Sequence, residues 1–316
     1  MRDISAKYET LREAKAKATL KISAKTAKLI RDKKVEKGDV FEISRAAAIT
    51  GAKRTWELLP LCHPLPVDWI GVTFDLHKDS IDVYCTVKAI YKTGVEMEAL
   101  TGVSLGALCL YDMLKPHDDA LEIQNVALLE KRGGKSDFGH LPAKPLKCVV
   151  LVLSDSVYAG KKEDRAGKSI IKKLEGYPVK VMDYKIFPDE RDDIKNALVY
   201  YSDTKGADLI LTTGGTGFSP RDITVEATKD VLERETTGIS EAIRAYGLKR
   251  TPYSALSRAV SGMRGKTLII NLPGSTNGAR ESMDALFPWI FHAFPMIEGA
   301  RHDKKQATGN RKAGLG

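Results

Sequence analysis

The sequence predicts an α+β domain followed by an α/β domain whose mostly parallel sheet carries helices on both faces. Three observations carry that reading. The 316 residues suffice for two domains of ordinary size, each with its own core. The stretch Gly139-His140-Leu141-Pro142-Ala143-Lys144-Pro145 has no apolar periodicity and reads as a seam, with residues 141–145 a short stiff linker. Before the seam strands and helices mix irregularly, whereas after it short apolar runs alternate with helical stretches, as in a parallel sheet covered on both faces. The expected domains are 1–140 and 146–303. Residues 304–316 lack apolar anchors and are expected to be a disordered tail.

Charge narrows the partners. Fifty basic against 41 acidic residues give a formal charge of +9, which suits anionic ligands. There is no zinc-finger spacing, aromatic RNA-binding motif or long basic helix, so small phosphorylated substrates are expected and nucleic acid is not. The four cysteines, Cys62, Cys85, Cys109 and Cys148, are scattered without a C-x-x-C and read as reduced, mostly buried thiols. The first residues lack an apolar signal region and no window approaches 18 apolar residues. The expectation is a soluble cytoplasmic protein with no membrane partner.

In the first half, Ala16-Lys17-Ala18-Thr19-Leu20-Lys21-Ile22 alternates with period two, and an extended edge segment is preferred there to a helix. Residues 33–39 form a charged turn closed by Gly38-Asp39. Residues 40–53 read as a helix with Ala46, Ala47 and Ile49 facing inward. Three prolines among residues 60–66 exclude regular structure over 56–66 and hold His63 between rigid segments. A structural histidine in a proline-rich turn would read the same way. Residues 67–74 and 80–90 alternate as strands around a turn at 77–79. A long apolar helix starts near Val95 and runs to Lys115, where Pro116 stops it. Glu96, Glu98, Asp112 and Lys115 therefore bracket one helix. Asp112 and Lys115 share a face, which an ordinary surface ion pair would also explain. A strand over 121–129 and a basic, glycine-bearing loop over 130–140 complete the domain.

After the seam, an almost unbroken apolar strand over 146–153 ends at Ser154-Asp155-Ser156. Helices over 165–174, 192–202, 225–233 and 239–246 alternate with strands over 179–187, 208–211 and 267–272. Residues 251–260 read as a loop or broken helix, and helical stretches over 283–292 and 296–299, interrupted at Pro295, close the domain.

Four polar strand exits or turns belong to this domain: Ser154 with Asp155; Pro188-Asp189-Glu190; Thr212, Thr213, Gly214, Gly215, Thr216 and Gly217, followed by Phe218-Ser219-Pro220-Arg221-Asp222; and Pro273, Gly274 and Ser275. A parallel sheet brings such ends to one edge. Glycine-rich loops offer backbone N–H groups to phosphates, and Asp189 and Asp222 suit Mg²⁺, the combination that nucleotidyl transfer needs. A tight turn would explain the glycines alone, and a helix cap either aspartate alone.

These segments, with Arg221-Asp222-Ile223-Thr224 and Asn271-Leu272-Pro273-Gly274-Ser275, resemble the molybdopterin adenylyltransferase family of the MogA/MoaB type over residues 145–301. The resemblance implies the molybdopterin-binding fold and transfer of AMP from Mg-ATP to molybdopterin with release of pyrophosphate. Asp189 and Asp222 would serve Mg-ATP and catalysis, and the two glycine loops would position nucleotide and pterin phosphates. The Ser275-Thr276-Asn277 sequence is closer to the MoaB form, which leaves a non-catalytic molybdopterin-binding or scaffold module as the alternative.

The polar candidates of the first domain are Lys37, Lys53, Arg54, His63, Glu96, Glu98, Asp112, Lys115, Lys131 and Lys135. Lysines with a carboxylate suit a triphosphate or cyclic-phosphate ligand, and His63 has no second ligand for a metal. The blocks Lys37-Gly38-Asp39-Val40-Phe41, Leu61-Cys62-His63-Pro64-Leu65, Lys92-Thr93-Gly94-Val95-Glu96-Met97-Glu98-Ala99-Leu100 and Tyr111-Asp112-Met113-Leu114-Lys115 resemble the MoaC family, cyclic pyranopterin monophosphate synthase, across residues 1–140. This implies a ferredoxin-like α+β domain that converts 3',8-cyclo-7,8-dihydro-GTP to cyclic pyranopterin monophosphate with loss of pyrophosphate and no redox cofactor. Lys37, Asp112, Lys115 and Lys131 would bind substrate and move protons, with Lys37, Asp112 and Lys115 catalytic. His63, Glu96, Met97 and Glu98 would line the pocket, with Lys135 beside it and Arg12 reaching a phosphate from a neighbouring subunit. Together the resemblances imply a threefold homo-oligomer, a hexamer first, and transient contacts with other molybdenum cofactor enzymes.

Overall fold

Alternation over Thr10–Lys21 (β1) puts Ala14, Ala16, Ala18 and Leu20 on one fully buried face. The computed structural model describes residues 1–134, 137–139 and 141–300, and divides the chain into two compact units at Phe138. Lys135 and the stretch 304–316 lie outside the described residues.

In the first unit β1 is followed by α1 (Ala24–Arg31), α2 (Val40–Lys53), the single turn α3 (Thr55–Leu58), β2 (Trp69–Leu76), β3 (Ser80–Tyr91), α4 (Glu96–Leu114) and β4 (Glu122–Arg132). The sheet order is β2-β3-β1-β4, every neighbour antiparallel, which is the ferredoxin-like arrangement. The segment expected at an edge is thus interior. It pairs with β3 on one side and β4 on the other, and its alanines give a flat small-residue face on which the helices lie close to the sheet centre. Close packing continues between helices: a Cβ added at Gly106 of α4 would stand 3.3 Å from Ala48 Cβ of α2. The buried face of α2 is Val40, Ser44, Ala48, Gly51 and Ala52, so Ala46 is exposed, contrary to expectation. Three successive alanines give no amphipathic contrast from which to read a face. The helical turn Thr55–Leu58 also intrudes on the segment expected to be irregular, since its first proline comes only at Pro60.

By length and composition alone α4 is long and apolar enough to cross a membrane, although Glu96, Glu98 and Asp112 keep it from being an unbroken apolar run. Its inner face, including Ala99, Val103, Ala107 and Leu110, belongs to the core of this unit.

The second unit runs β5 (Leu146–Leu153), α5 (Asp155–Tyr158), α6 (Ala166–Leu174), β6 (Val179–Phe187), α7 (Arg191–Val199), a π-helical turn (Tyr200–Thr204), β7 (Leu209–Thr213), α8 (Thr224–Val231), β8 (Arg234–Glu235), α9 (Thr237–Leu248), a 3₁₀ turn (Pro252–Leu256), β9 (Ser261–Arg264), β10 (Thr267–Leu272) and α10 (Thr276–Leu286). A 3₁₀ turn (Trp289–His292) and α11 (Ala293–Ile297) end it. The sheet order is β6-β5-β7-β10-β9-β8, parallel through the first four strands and antiparallel beyond. Strands β5 and β7 are buried on both faces, as central strands of a covered sheet must be. The chain leaves β5 for β6 on one side and returns to β7 on the other, so the β5/β7 boundary is the switch point where such sheets open a crevice at their carboxyl ends.

Candidate functional site

All four polar segments of the second unit gather at that edge, since β5, β6, β7 and β10 are parallel. Asp155 follows β5 and Asp189 follows β6. Each donates its backbone N–H to the other's carboxylate at 3.0 Å. Arg221 reaches across to both carboxylate oxygens of Asp155 at 3.0 Å and to Glu190 at 2.8 Å. The Asp189 N–H and the Arg221 guanidinium hold the Asp155 carboxyl below its ordinary pKa. Asp189 goes the other way, raised chiefly by burial, with the charges of Asp155 and Asp222 adding to it. Its Oδ1 is buried without a hydrogen-bond partner, as is Thr224 Oγ1. Both oxygens border Gly215, which has φ +61°, and a Cβ there would collide with Thr224. An orphaned carboxylate oxygen and a hydroxyl beside a glycine loop are hard oxygen donors that fit Mg²⁺.

The two glycine loops touch. Thr213 Oγ1 donates to the carbonyl of Pro273 at 2.8 Å, and a Cβ on Gly274 would lie 3.1 Å from Gly214 Cα. Ser275 caps α10, accepting the N–H of Gly278 at 3.2 Å, so the helix N-terminus also faces this edge. Ser154 caps α5 in the same way. Asp222 accepts the N–H of Ser219 at 2.8 Å, which closes the segment after Gly217. Sequence reading missed Arg258, whose guanidinium reaches the carbonyls of Gly217 and Asp222 from a distant loop. Nothing local in Ser257-Arg258-Ala259 marks it. Among the described residues no group of three or more His, Cys, Asp or Glu could by itself hold a metal ion.

The residues singled out in the first unit form two groups. Lys37 Nζ donates to the Asp112 carbonyl at 2.8 Å and to its carboxylate at 3.2 Å, while Lys115 Nζ lies 2.7 Å from the other carboxylate oxygen. The two lysines hold the Asp112 carboxyl below its usual range. At the other end of α4, Glu96 pairs with Lys131 at 3.3 Å, and Arg12 feels the charges of Glu96 and Asp137. Arg12 is itself nearly buried, with Nε donating to the Tyr91 carbonyl at 3.1 Å. Glu98 is only 4% exposed, and burial, with the Glu96 charge, pushes its carboxyl up to about 7. The charge of Glu98 is felt at Cys62, beside His63, and His63 Nε2 hydrogen-bonds the carbonyl of Arg2 at 2.8 Å. Met97 is exposed. Glu96 and Asp112 are sixteen positions apart on one helix, hence about 24 Å along its axis.

Fold and family together define a tandem protein of molybdenum cofactor biosynthesis. Residues 1–134 match the MoaC family, and residues 149–292 match the family described as a probable molybdopterin binding domain. The chain is 38% identical over 302 residues to the molybdenum cofactor biosynthesis bifunctional protein of Chlorobaculum tepidum, covering 96% of each. It is 36% identical over 315 residues to the protein so described from Synechococcus elongatus, covering 96% of this chain and 98% of that one. Its first part is 48% identical over 136 residues to the cyclic pyranopterin monophosphate synthase of Aquifex aeolicus, a match over 43% of this chain and 54% of that relative. The chain belongs to the bifunctional molybdenum cofactor biosynthesis proteins, with a MoaC-like first half and a MogA/MoaB-like second half.

Proposed function

We propose that the second unit adenylylates molybdopterin from Mg-ATP with release of pyrophosphate, and that the first converts 3',8-cyclo-7,8-dihydro-GTP to cyclic pyranopterin monophosphate. The observation that carries the first of these readings is the buried, unpartnered Asp189 Oδ1 at an edge where two glycine loops and a helix N-terminus meet. Asp189 and Asp222 would hold Mg²⁺, which supplies charge neutralisation on the phosphates. The N–H groups of Gly215 and Gly217, with the α10 terminus, would orient phosphate oxygens so that the α-phosphorus of ATP faces the molybdopterin phosphate. One feature favours the alternative of a molybdopterin-binding module without turnover: Arg221 already neutralises Asp155 and Glu190. Mass spectrometry after incubation with molybdopterin and Mg-ATP separates the two. Adenylyl-molybdopterin from the parent and none from Asp222→Asn supports transfer. Bound but unmodified molybdopterin supports the module.

In the first unit Lys37 and Lys115 would neutralise phosphate around Asp112, and Glu98, poised near neutrality, would exchange a proton at the pterin. A small substrate does not bridge about 24 Å, so the two groups on one α4 would not serve one molecule. Met97, Thr101, Ser104, Leu108 and Tyr111 form a stripe spaced alternately four and three along α4, with Met97, Leu108 and Tyr111 exposed. Pairing this stripe antiparallel with that of a second copy would bring the Lys37-Lys115 end of one chain to the Glu96-Glu98 end of the other. That arrangement also suits opposite charges and a homo-oligomer built from such pairs.

A further inference from the structure

We propose that Arg258 is the positioning residue of the second site, holding Asp222 and the glycine loop in register. The proposal rests on the adenylylation reading for its kinetic consequence, but its geometry is independent of it. Arg258 follows the 3₁₀ turn Pro252–Leu256, and its side chain is 29% exposed. Nε donates to the Gly217 carbonyl at 2.6 Å, Nη2 donates to the Asp222 carbonyl, and Nη1 pairs with Glu226 of α8. Its own backbone N–H donates to the Thr216 carbonyl at 3.0 Å.

The segment between those two carbonyls is closed on itself. Asp222 donates its N–H to the Ser219 carbonyl and accepts the Ser219 N–H on Oδ2, each at 2.8 Å. A loop closed at its neck can still rock as a body. One planar guanidinium that grips Gly217 and Asp222 together, and is itself pinned to α8 through Glu226, removes that freedom. The grip also reaches the other glycine loop. Two residues on from Arg258, the Val260 carbonyl accepts the backbone N–H of Asn271 of β10 at 3.0 Å and the Val260 N–H donates to Asn271 Oδ1 at 3.4 Å, and that strand runs directly into Pro273 and Gly274. Arg258 therefore ties the β7 loop to the β10 loop. A lysine cannot replace it, because one ammonium does not span two carbonyls and a carboxylate in a plane.

The test compares full-length parent, Arg258→Lys and Arg258→Gln in three measurements: adenylyl-molybdopterin formation, molybdopterin binding, and hydrogen exchange of amides 214–222 against those of β7. The expected result is a kcat lower by about 10- to 100-fold, since a misplacement near 1 Å costs that much. Molybdopterin affinity falls by less than kcat does, and faster exchange is confined to the loop. Unchanged kcat or unchanged loop exchange overturns the proposal. So does a general rise in exchange through β7 and β10, which would make Arg258 merely structural. If the parent forms no adduct, the adenylylation reading fails, and loop exchange alone decides whether Arg258 holds the loop.

Discussion

Asp155 and Asp189 cap one another across two strand ends, each carboxylate accepting the other's backbone N–H at 3.0 Å, yet their acidities are driven in opposite directions. Asp155 gains the Arg221 guanidinium, while Asp189 is left buried with one oxygen orphaned. Neighbouring carboxylates split in this way can take different roles.

Adenylylation should therefore fall at acid pH as Asp189 gains a proton and loses its affinity for a cation. Asp155→Asn removes a like charge and frees Arg221, and both changes lower the Asp189 pKa. The acid limb of the rate profile should move to lower pH, and a limb that stays put or moves upward would refute this account. Mn²⁺ binding without nucleotide, followed by electron paramagnetic resonance, should show the same displacement.

Glu98 bears on stability. Its carboxyl is raised to about 7 from an ordinary 4.5, so the folded chain binds this proton more tightly than the unfolded one. The favourable contribution is complete below the unfolded value and is lost as pH rises toward 7. The loss is on the order of 3 kcal/mol across that window. Glu98→Gln should raise the urea midpoint at pH 8 and leave it little changed at pH 4.5. Equal effects at both pH values would show that Glu98 is not the group responsible.

A site shared between copies makes a complementation prediction. Lys115→Ala and Glu96→Ala should each abolish cyclic pyranopterin monophosphate formation without lowering the melting temperature, since both side chains are at least partly exposed. Oligomers reassembled from a mixture of the two variants should regain activity, because some interfaces then hold one intact half-site from each chain. No recovery in mixtures that demonstrably exchange subunits would rule out the shared site.

Gly214 tests the glycine loop. It has φ +110°, and an added Cβ would collide with the carbonyl of Leu153 at the end of β5. Gly214→Ala should cost roughly 1–3 kcal/mol in urea unfolding and remove adenylylation. Gly238→Ala, at a helical position where an added Cβ meets nothing within 4 Å, serves as the control.

What was legible in the sequence had a local cause. The buried runs of β5 and β7, the span of α4 and the Asp112-Lys115 pair all follow from period and spacing within a few residues. The interior place of β1 does not, because only its partners on both sides decide whether a strand is an edge. Strand β9, four residues reading Ser-Gly-Met-Arg, is too short and too mixed to carry a signal and exists because Gly265 turns it onto β10. Asp189 and Asp222 announce themselves beside prolines and glycines, while Arg258 is distant in sequence from the carbonyls it holds. Lys37 joins Asp112 only because the fold returns α4 to the start of α2.

Helix α4 carries one set of charged residues at each end, and so it works as a ruler. A single inserted or deleted residue would turn one end through about 100° against the other and slide it by about 1.5 Å. The apolar residues between the ends can be exchanged for others of similar volume. Their number cannot change without putting both ends out of phase, so natural variation in this unit should fall in side-chain identity along the helix and in the lengths of loops elsewhere.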